Sequence, residues 1–503
     1  MIELGLLLER LEVAASRGRI DPGLKIGKIS SDSRQVTEGT LFIAVRGYVT
    51  DGHRYIGDAV ANGAVAVVCE TLPDSAGENG AYIVVPDSRK AMAHIAKAFY
   101  GDPSDKLQVI GVTGTNGKTT TARLIAAMLN SCGIRAGYIG TGLALAGDEA
   151  IPLERTTPEA EELHRLFLLM AERGCRAVVM EVSSHALVLQ RTSGIAFAGA
   201  VFTNLSQDHL DFHHTMEKYA VAKKQLFGNL AAGGFMVVNA DDPYGKFMAE
   251  NLKDATLYCC TMRSGKPDCP GDAFEEVRST VLESSMKGTQ VKLEIEGEVL
   301  EVFFGIPGRH NVMNLMEAFV SVVAMGITPQ RVIMSLCSMP QVEGRMEVIS
   351  NDGGDLFAVV DYAHTPDALD KVIDTLNALK TEGARLVVVF GCGGNRDRTK
   401  RPVMGEIVSG GADCVVVTSD NPRDEDPETI IDHIAEGISS QNYMRFVDRA
   451  EAVRSGVNLL KKGDILLVAG KGHEKYQELK GKRRYFCDQE TVREALYARE
   501  TSV

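Results

Sequence analysis

Residues 109–120, VIGVTGTNGKTT, combine the residue types that hold a nucleoside triphosphate. A short apolar strand runs into a glycine-rich turn, which opens into the helical pattern TTTARLIAAML. Glycines let backbone N–H groups converge on phosphate oxygens, and the helix amino terminus adds a favourable dipole. Lys118 can reach the β- and γ-phosphates, and the Thr119 hydroxyl suits Mg²⁺. The spacing departs from the common phosphate loop, because Val112 stands where the first glycine is usual and Gly114 lies inside the loop. Gly114, Thr115, Asn116, Gly117, Lys118, Thr119 and Thr120 form the candidate nucleotide-binding set. Such a loop implies nucleotide binding without naming the reaction.

Glu181 follows a predicted strand at 177–180, and His209 follows another at 199–204 by a short loop. A parallel sheet places such residues at its carboxyl edge, beside the phosphate loop. With Thr119 they make an oxygen and nitrogen donor set that suits Mg²⁺, which keeps waters and phosphate oxygens as ligands. An ordinary strand-end hydrogen bond explains either residue equally well. Lys223 cannot ligate a cation as an ammonium, and by type alone it reads as a solvated helical lysine, like Lys224. His185 stays open between ligand, hydrogen-bond partner and packed core residue. His213 and His214 read as exposed loop residues, and His94 is given no functional role.

The elements that must position these groups follow an α/β rhythm of short apolar runs, turn residues and helical patterns. Strands are predicted at 41–45, 65–69 and 83–85, then a helix at 88–99 and a boundary in the turn cluster 101–105. A second segment carries strands at 109–112, 177–182, 199–204 and 235–239, an antiparallel hairpin about Glu296-Gly297, and helices within 311–337. A boundary near 340–345 precedes strands at 357–361, 385–391, 414–420 and 464–470. The resulting fold class is α/β with three domains, 1–103, 104–342 and 343–503, the central one a P-loop-type ATPase parallel sheet and the last Rossmann-like.

The chain has 503 residues, 45% hydrophobic and 24% charged, with a net charge of −13. That balance excludes bulk disorder and disfavours a protein that coats nucleic acid or anionic lipid. Ten scattered cysteines contain no CxxC pair, so neither zinc nor a disulfide framework is expected, and the thiols read as reduced. The amino terminus reads as an amphipathic helix without a basic n-region, and no apolar run is long enough to span a membrane. A cytoplasmic, monomeric protein with no membrane insertion and small-molecule partners is expected.

The string GTNGKTT resembles the Mur ligase family, which uses ATP to join amino acids to the peptide stem of the cell-wall precursor. Other pieces occur in the family's order: Asp32-Ser33-Arg34, Asp51-Gly52-His53, Glu181-Val182-Ser183-Ser184-His185, Asp208-His209-Leu210-Asp211, Tyr219-x-x-Ala222-Lys223, His310-Asn311-x-x-Asn314, Gly344-Arg345-Met346-Glu347 and Asp361-Tyr362-Ala363-His364. Asp420-Asn421-Pro422-Arg423 resembles the signature of members that add meso-diaminopimelate; lysine-adding members lack the arginine. The resemblance implies that Arg396, Asp420, Asn421, Pro422, Arg423, Gly470 and Glu474 hold diaminopimelate. Arg423 could grip a carboxylate in a bidentate fork.

By the same resemblance, Ser33 and the 47–53 loop take the uridine diphosphate end of UDP-MurNAc-L-Ala-D-Glu. Thr156, Thr157, Ser183 and Arg191 surround its sugar and D-glutamate. Leu189 and Arg155 stand where some members carry glutamine and asparagine. Asn311 lies beside adenine, although an N-cap role fits it as well, and Arg345 and Asp361 serve the ATP phosphates. Thr119, Glu181, His209 and Lys223 would serve Mg²⁺, with Lys223 carrying a carbamate; Lys118, Lys223, Glu181 and His209 would be the catalytic groups. The implied reaction is ATP-dependent amide ligation through an acyl phosphate. A lysine-adding homologue and a folylpolyglutamate synthase-like ligase are the alternatives.

Overall fold

The computed structural model describes residues 1–47, 50–73, 80–251, 254–271, 273–336, 341–439 and 443–501. Part of the predicted 47–53 loop and position 340 of the second boundary lie outside them. The chain forms two compact units: Met1–Cys259 with Lys266–Glu275 and Val320–Ile327, and Cys260–Gly265 with Glu276–Phe319 and Thr328–Val503.

In the first unit an amino-terminal sheet runs in the order Ala15–Arg17, Tyr82–Val84, Ala64–Cys69, Thr40–Ile43, Lys28–Ser30, parallel except for its first member. Both faces are covered, so its strands are apolar at successive positions: Leu41 and Ile43 join one core and Phe42 and Ala44 the other. The predicted helix at 88–99 forms as Ser88–Phe99, capped by the Asp87 side chain, which accepts from Arg89 N and Lys90 N.

The second sheet of this unit positions the phosphate loop. Ala136–Gly140, Ala177–Glu181, Gln108–Thr113, Phe197–Phe202 and Leu230–Asn239 are parallel neighbours in that order. Their register sets Glu181 level with Val112, and Phe202 level with Thr113. The three neighbouring strands therefore end together where the chain turns into the helix Lys118–Ser131.

In the second unit, Glu275–Ser285, Gly288–Ile295 and Glu298–Phe304 form an antiparallel meander. Its second turn is the predicted Glu296-Gly297, both at positive φ as a tight two-residue hairpin requires. The carboxy-terminal sheet runs Glu347–Ser350, Phe357–Asp361, Ile465–Ala469, Leu386–Phe390, Cys414–Thr418, Tyr443–Phe446, parallel except at its first strand. Arg449 and Asp488 are both fully buried and paired at 2.8 Å. Arg449 also donates to Ser419 O and Ala469 O, fixing the ends of two sheet strands.

Two expectations are corrected here. The amino-terminal helix is only Leu4–Leu8, because residues 15–17 instead pair with Tyr82–Val84. Cys259 and Cys269 form a disulfide, so these two thiols are not reduced; the chain doubles back between them and brings their Cα atoms to 6.7 Å. Among the described residues no helix is long and apolar enough to cross a membrane.

Candidate functional site

The phosphate loop is held by the strand beside it. Thr115 N donates to Asn204 O at 2.8 Å and Asn116 N to Asn204 Oδ1 at 3.0 Å. Thr203 Oγ1 and Asn204 Nδ2 both donate to Asn116 O, at 2.6 and 3.0 Å. The approach is so close that a Cβ on Gly114 would lie 1.9 Å from Thr203 Oγ1, and Gly114 has φ +154. Only glycine fits there.

Two lysines meet on this loop. Lys118 Nζ donates to Gly114 O at 2.9 Å and Thr115 O at 2.8 Å, while Lys223 Nζ donates to the same Gly114 O at 2.6 Å. Lys223 is buried, 4.4 Å above the Tyr219 ring, which overturns the solvated-helix reading. Lys224 is half-buried as well, 4.1 Å above the Phe247 ring. Burial, then the Lys118 charge, pushes the Lys223 ammonium well below the ordinary lysine range. Its amine is accordingly biased toward the neutral, nucleophilic form.

Glu181 is buried, and its Oε1 accepts from Thr119 Oγ1 at 2.9 Å, Tyr138 OH at 2.6 Å and Thr141 N at 3.0 Å. Thr156 joins through Thr141, hydroxyl to hydroxyl at 3.0 Å. Thr157 Oγ1 donates to Glu181 O and accepts from Ser183 N, and the Ser183 hydroxyl caps the helix Ser184–Val188. Arg191 donates to Thr157 O at 3.1 Å and pairs with Glu159 at 2.8 Å, leaving its buried Nε without a hydrogen-bond partner. Thr156, Thr157, Ser183 and Arg191 thus assemble around Glu181. Ser33 opens the short turn Ser33–Gln35 that follows the strand Lys28–Ser30, and its carbonyl accepts from Asn62.

His209 sits at φ +53, exposed, with its ring 4.8 Å from that of His185. His213 is buried, contrary to the loop reading: its Nε2 hydrogen-bonds Ser184 Oγ at 2.9 Å and its ring packs on Tyr219 at 4.9 Å. His214 is exposed as expected. Burial pushes His185 and His213 down to about 4. Among the described residues no three His, Cys, Asp or Glu side chains form a ready-made metal cage. Glu181 is the one carboxylate of the expected set, and a Mg²⁺ ion held there would take further ligands from substrate phosphates and water.

The second unit carries the remaining candidates, those expected for the amino acid at the carboxyl ends of neighbouring strands and Asn311 in the helix Arg309–Ala324. Arg423 NH1 donates to Gly394 O at 2.8 Å, while Arg396 is exposed on the adjoining loop. Asn421 Nδ2 donates to Glu474 Oε2 at 2.8 Å, and the buried Lys471 Nζ donates to both Asn421 Oδ1 and Glu474 Oε2. Gly470, at φ +117, lies so near Asp420 that a Cβ would come within 2.7 Å of its Oδ2. Pro422 O would lie 1.9 Å from a Cβ on Gly394. Arg345 stacks 4.6 Å over the Tyr362 ring; Asp361 accepts from Met346 N and Ala363 N, each at 2.7 Å. Burial raises the Asp361 carboxyl, against the pull of Arg345. Asn311 is buried, its Nδ2 donating to Pro307 O and its Oδ1 accepting from Asn314.

Three family models match consecutive stretches: the Mur ligase family catalytic domain at 25–100, the Mur ligase middle domain at 112–322 and the Mur ligase glutamate ligase domain at 344–472. A UDP-N-acetylmuramoyl-L-alanyl-D-glutamate–2,6-diaminopimelate ligase from Chlorobium phaeobacteroides is 53% identical over 97% of this chain and 96% of its own length. The chain belongs to the Mur ligase family. A solved structure of a ligase with that same name aligns at 34% identity, TM-score 0.69, over 99% of both chains. Mycobacterium tuberculosis folylpolyglutamate synthase, at 18% identity and TM-score 0.60, covers 76% of this chain and 92% of its own, and shares the fold alone.

This Mur ligase is an ATP-dependent enzyme of α/β architecture. The sequence reading missed Tyr138 and Thr141 on Glu181, and Asn204 as the clamp of the loop. It also missed Lys471, whose buried Nζ binds two candidates at once. Lys471 lies between two of the named candidates, in Gly470-Lys471-Gly472-His473-Glu474, and a lysine between glycines after a strand is its signal. Nothing local marked Tyr138, which acts across the sheet.

Proposed function

We propose that this enzyme joins meso-diaminopimelate to the D-glutamate carboxyl of UDP-MurNAc-L-Ala-D-Glu, converting ATP to ADP and phosphate. The observation that carries this reading is the convergence of Arg423, Arg396, Asp420, Asn421, Pro422, Gly470 and Glu474 on the carboxyl ends of neighbouring strands. Two arginines and two carboxylates there, Asp420 and Glu474, suit an amino acid with a second carboxylate and ammonium. Segments 1–103, 104–342 and 343–503 are assigned to the UDP end, ATP and the amino acid. Residues 114–120, with Asn311, Arg345 and Asp361, bind ATP. Ser33, Thr156, Thr157, Ser183 and Arg191 bind the nucleotide-sugar dipeptide; the orphaned Arg191 Nε offers a donor for an anionic oxygen.

Thr119, Glu181, His209 and Lys223 would hold Mg²⁺, which supplies charge neutralisation at the transferring phosphate. Their fit rests on the donor chemistry and on Lys223, whose buried neutral amine can attack CO₂, forming the N–C bond of a carbamate and releasing a proton. The product anion would gain the nearby Lys118 ammonium as a counter-ion. Lys118 then stabilises the γ-phosphoryl charge while the glutamate carboxylate attacks phosphorus and expels ADP. The diaminopimelate amine attacks the resulting acyl carbon and expels phosphate.

ADP release measured with each substrate omitted in turn tests this. Sustained release, beyond about one ADP per enzyme, should require both the dipeptide and the amino acid. Sustained release independent of the amino acid would mark a nucleotide hydrolase and overturn the reading.

A further inference from the structure

Gln489 lies at the start of the helix Asp488–Thr501, buried, with its side chain between two loops assigned to different ligands. Its Nε2 donates to Glu347 Oε2 at 3.0 Å and to Gly472 O at 3.0 Å. Its Oε1 accepts from Cys487 Sγ at 3.3 Å. Two acceptors on one side fix which end of the amide faces them. Glu347 is itself held at both oxygens: Oε2 accepts from Gly344 N at 2.9 Å and Oε1 from Arg493 NH2 at 3.0 Å.

The two loops also touch directly. Gly344 sits at φ +66, and a Cβ there would lie 2.2 Å from Gly472 C and His473 N. A Cβ on Gly472, at φ +51, would reach 2.7 Å from Gly344 O. Paired glycines permit the contact, but an apposition without side chains needs a clamp to set its register. Arg345 extends from the first loop over the Tyr362 ring, and Glu474 from the second to Asn421 and Lys471.

We propose that Gln489 is a positioning residue that locks the 344–347 and 470–474 loops together, so that the group offered to the nucleotide and the group offered to the amino acid are set by one amide. This rests on the assignments of Arg345 and Glu474 above. Loss of the amide should weaken both substrates while leaving the chemical step, once both are bound, nearly intact.

The test compares the full-length enzyme with Gln489→Leu, and with Val492→Ala, a cavity-forming change in the core on the same helix. KM for ATP, KM for meso-diaminopimelate, kcat and Tm are measured for each. Gln489→Leu should raise both KM values about fivefold or more with kcat within about twofold, and Val492→Ala should lower Tm without raising either. A rise in one KM only, in neither, or an equal rise in Val492→Ala would overturn the proposal. Should Gln489→Leu fail to fold, Gln489→Glu keeps the volume. Its carboxyl can bridge to Glu347 only by sharing a proton, so both KM values should climb with rising pH relative to wild type; a flat ratio would refute the clamp. If wild type turns over no diaminopimelate, the functional reading fails instead, whatever the variants do.

Discussion

Around the phosphate loop, the side chains assigned to chemistry already have protein partners. Lys118 and Lys223 share the Gly114 carbonyl, Glu181 accepts three donors on one oxygen, and Asn204 clamps the loop backbone. At the carboxyl edge of the second unit's sheet, Arg396 is exposed and Arg423 spends one N–H on Gly394 O. On the proposed assignment the first region would be preorganised for a phosphate, a ligand whose shape never varies. The second, on the same assignment, would supply a framework that its ligand completes. Preorganised charge acts chiefly on the transition state, whereas a site completed by its ligand acts chiefly on binding.

Variants can break that contrast. The largest effect is expected at Lys118, where Lys118→Ala should cut kcat by about 10³-fold or more in an ADP-release assay. A fall confined to KM would remove the distinction between the regions. Lys223→Ala should also be nearly inactive, yet short carboxylates added to the assay should restore part of kcat. Wild-type activity without them would refute the carbamate. Arg423→Lys should raise the diaminopimelate KM by roughly tenfold with little change in kcat, because an ammonium cannot reproduce a bidentate fork. An unchanged KM would take Arg423 out of the site.

The smallest effect is on pH. His185 and His213, on the phosphate-loop side, are pushed down to about 4 in the folded protein, against about 6.5 when unfolded. Between these values the unfolded chain binds more protons, so stability should fall as pH drops from about 6.5 towards 4. His213→Gln should flatten part of the fall in Tm by a few degrees; an unaltered slope would place the proton uptake elsewhere.

The phosphate loop and the parallel strands were legible in the sequence because their signals are local: glycine spacing, apolar runs and a helix start. The strands at 357–361 and 177–181 formed close to where the pattern put them. His213 was misread because its burial comes from Tyr219 and Ser184, one of them 29 residues away. Lys223 looked like any helical lysine until the loop carbonyl at Gly114, 109 residues distant, closed over it. The short amino-terminal helix failed for a similar reason, since a strand partner at 82–84 outweighed local helical periodicity.

The most direct test of the account is a competition: purified enzyme, ATP and UDP-MurNAc-L-Ala-D-Glu, with equal concentrations of meso-diaminopimelate and L-lysine, read by product mass. The account predicts the diaminopimelate product almost alone, with one ADP formed per amide bond. Equal or greater incorporation of lysine would contradict it.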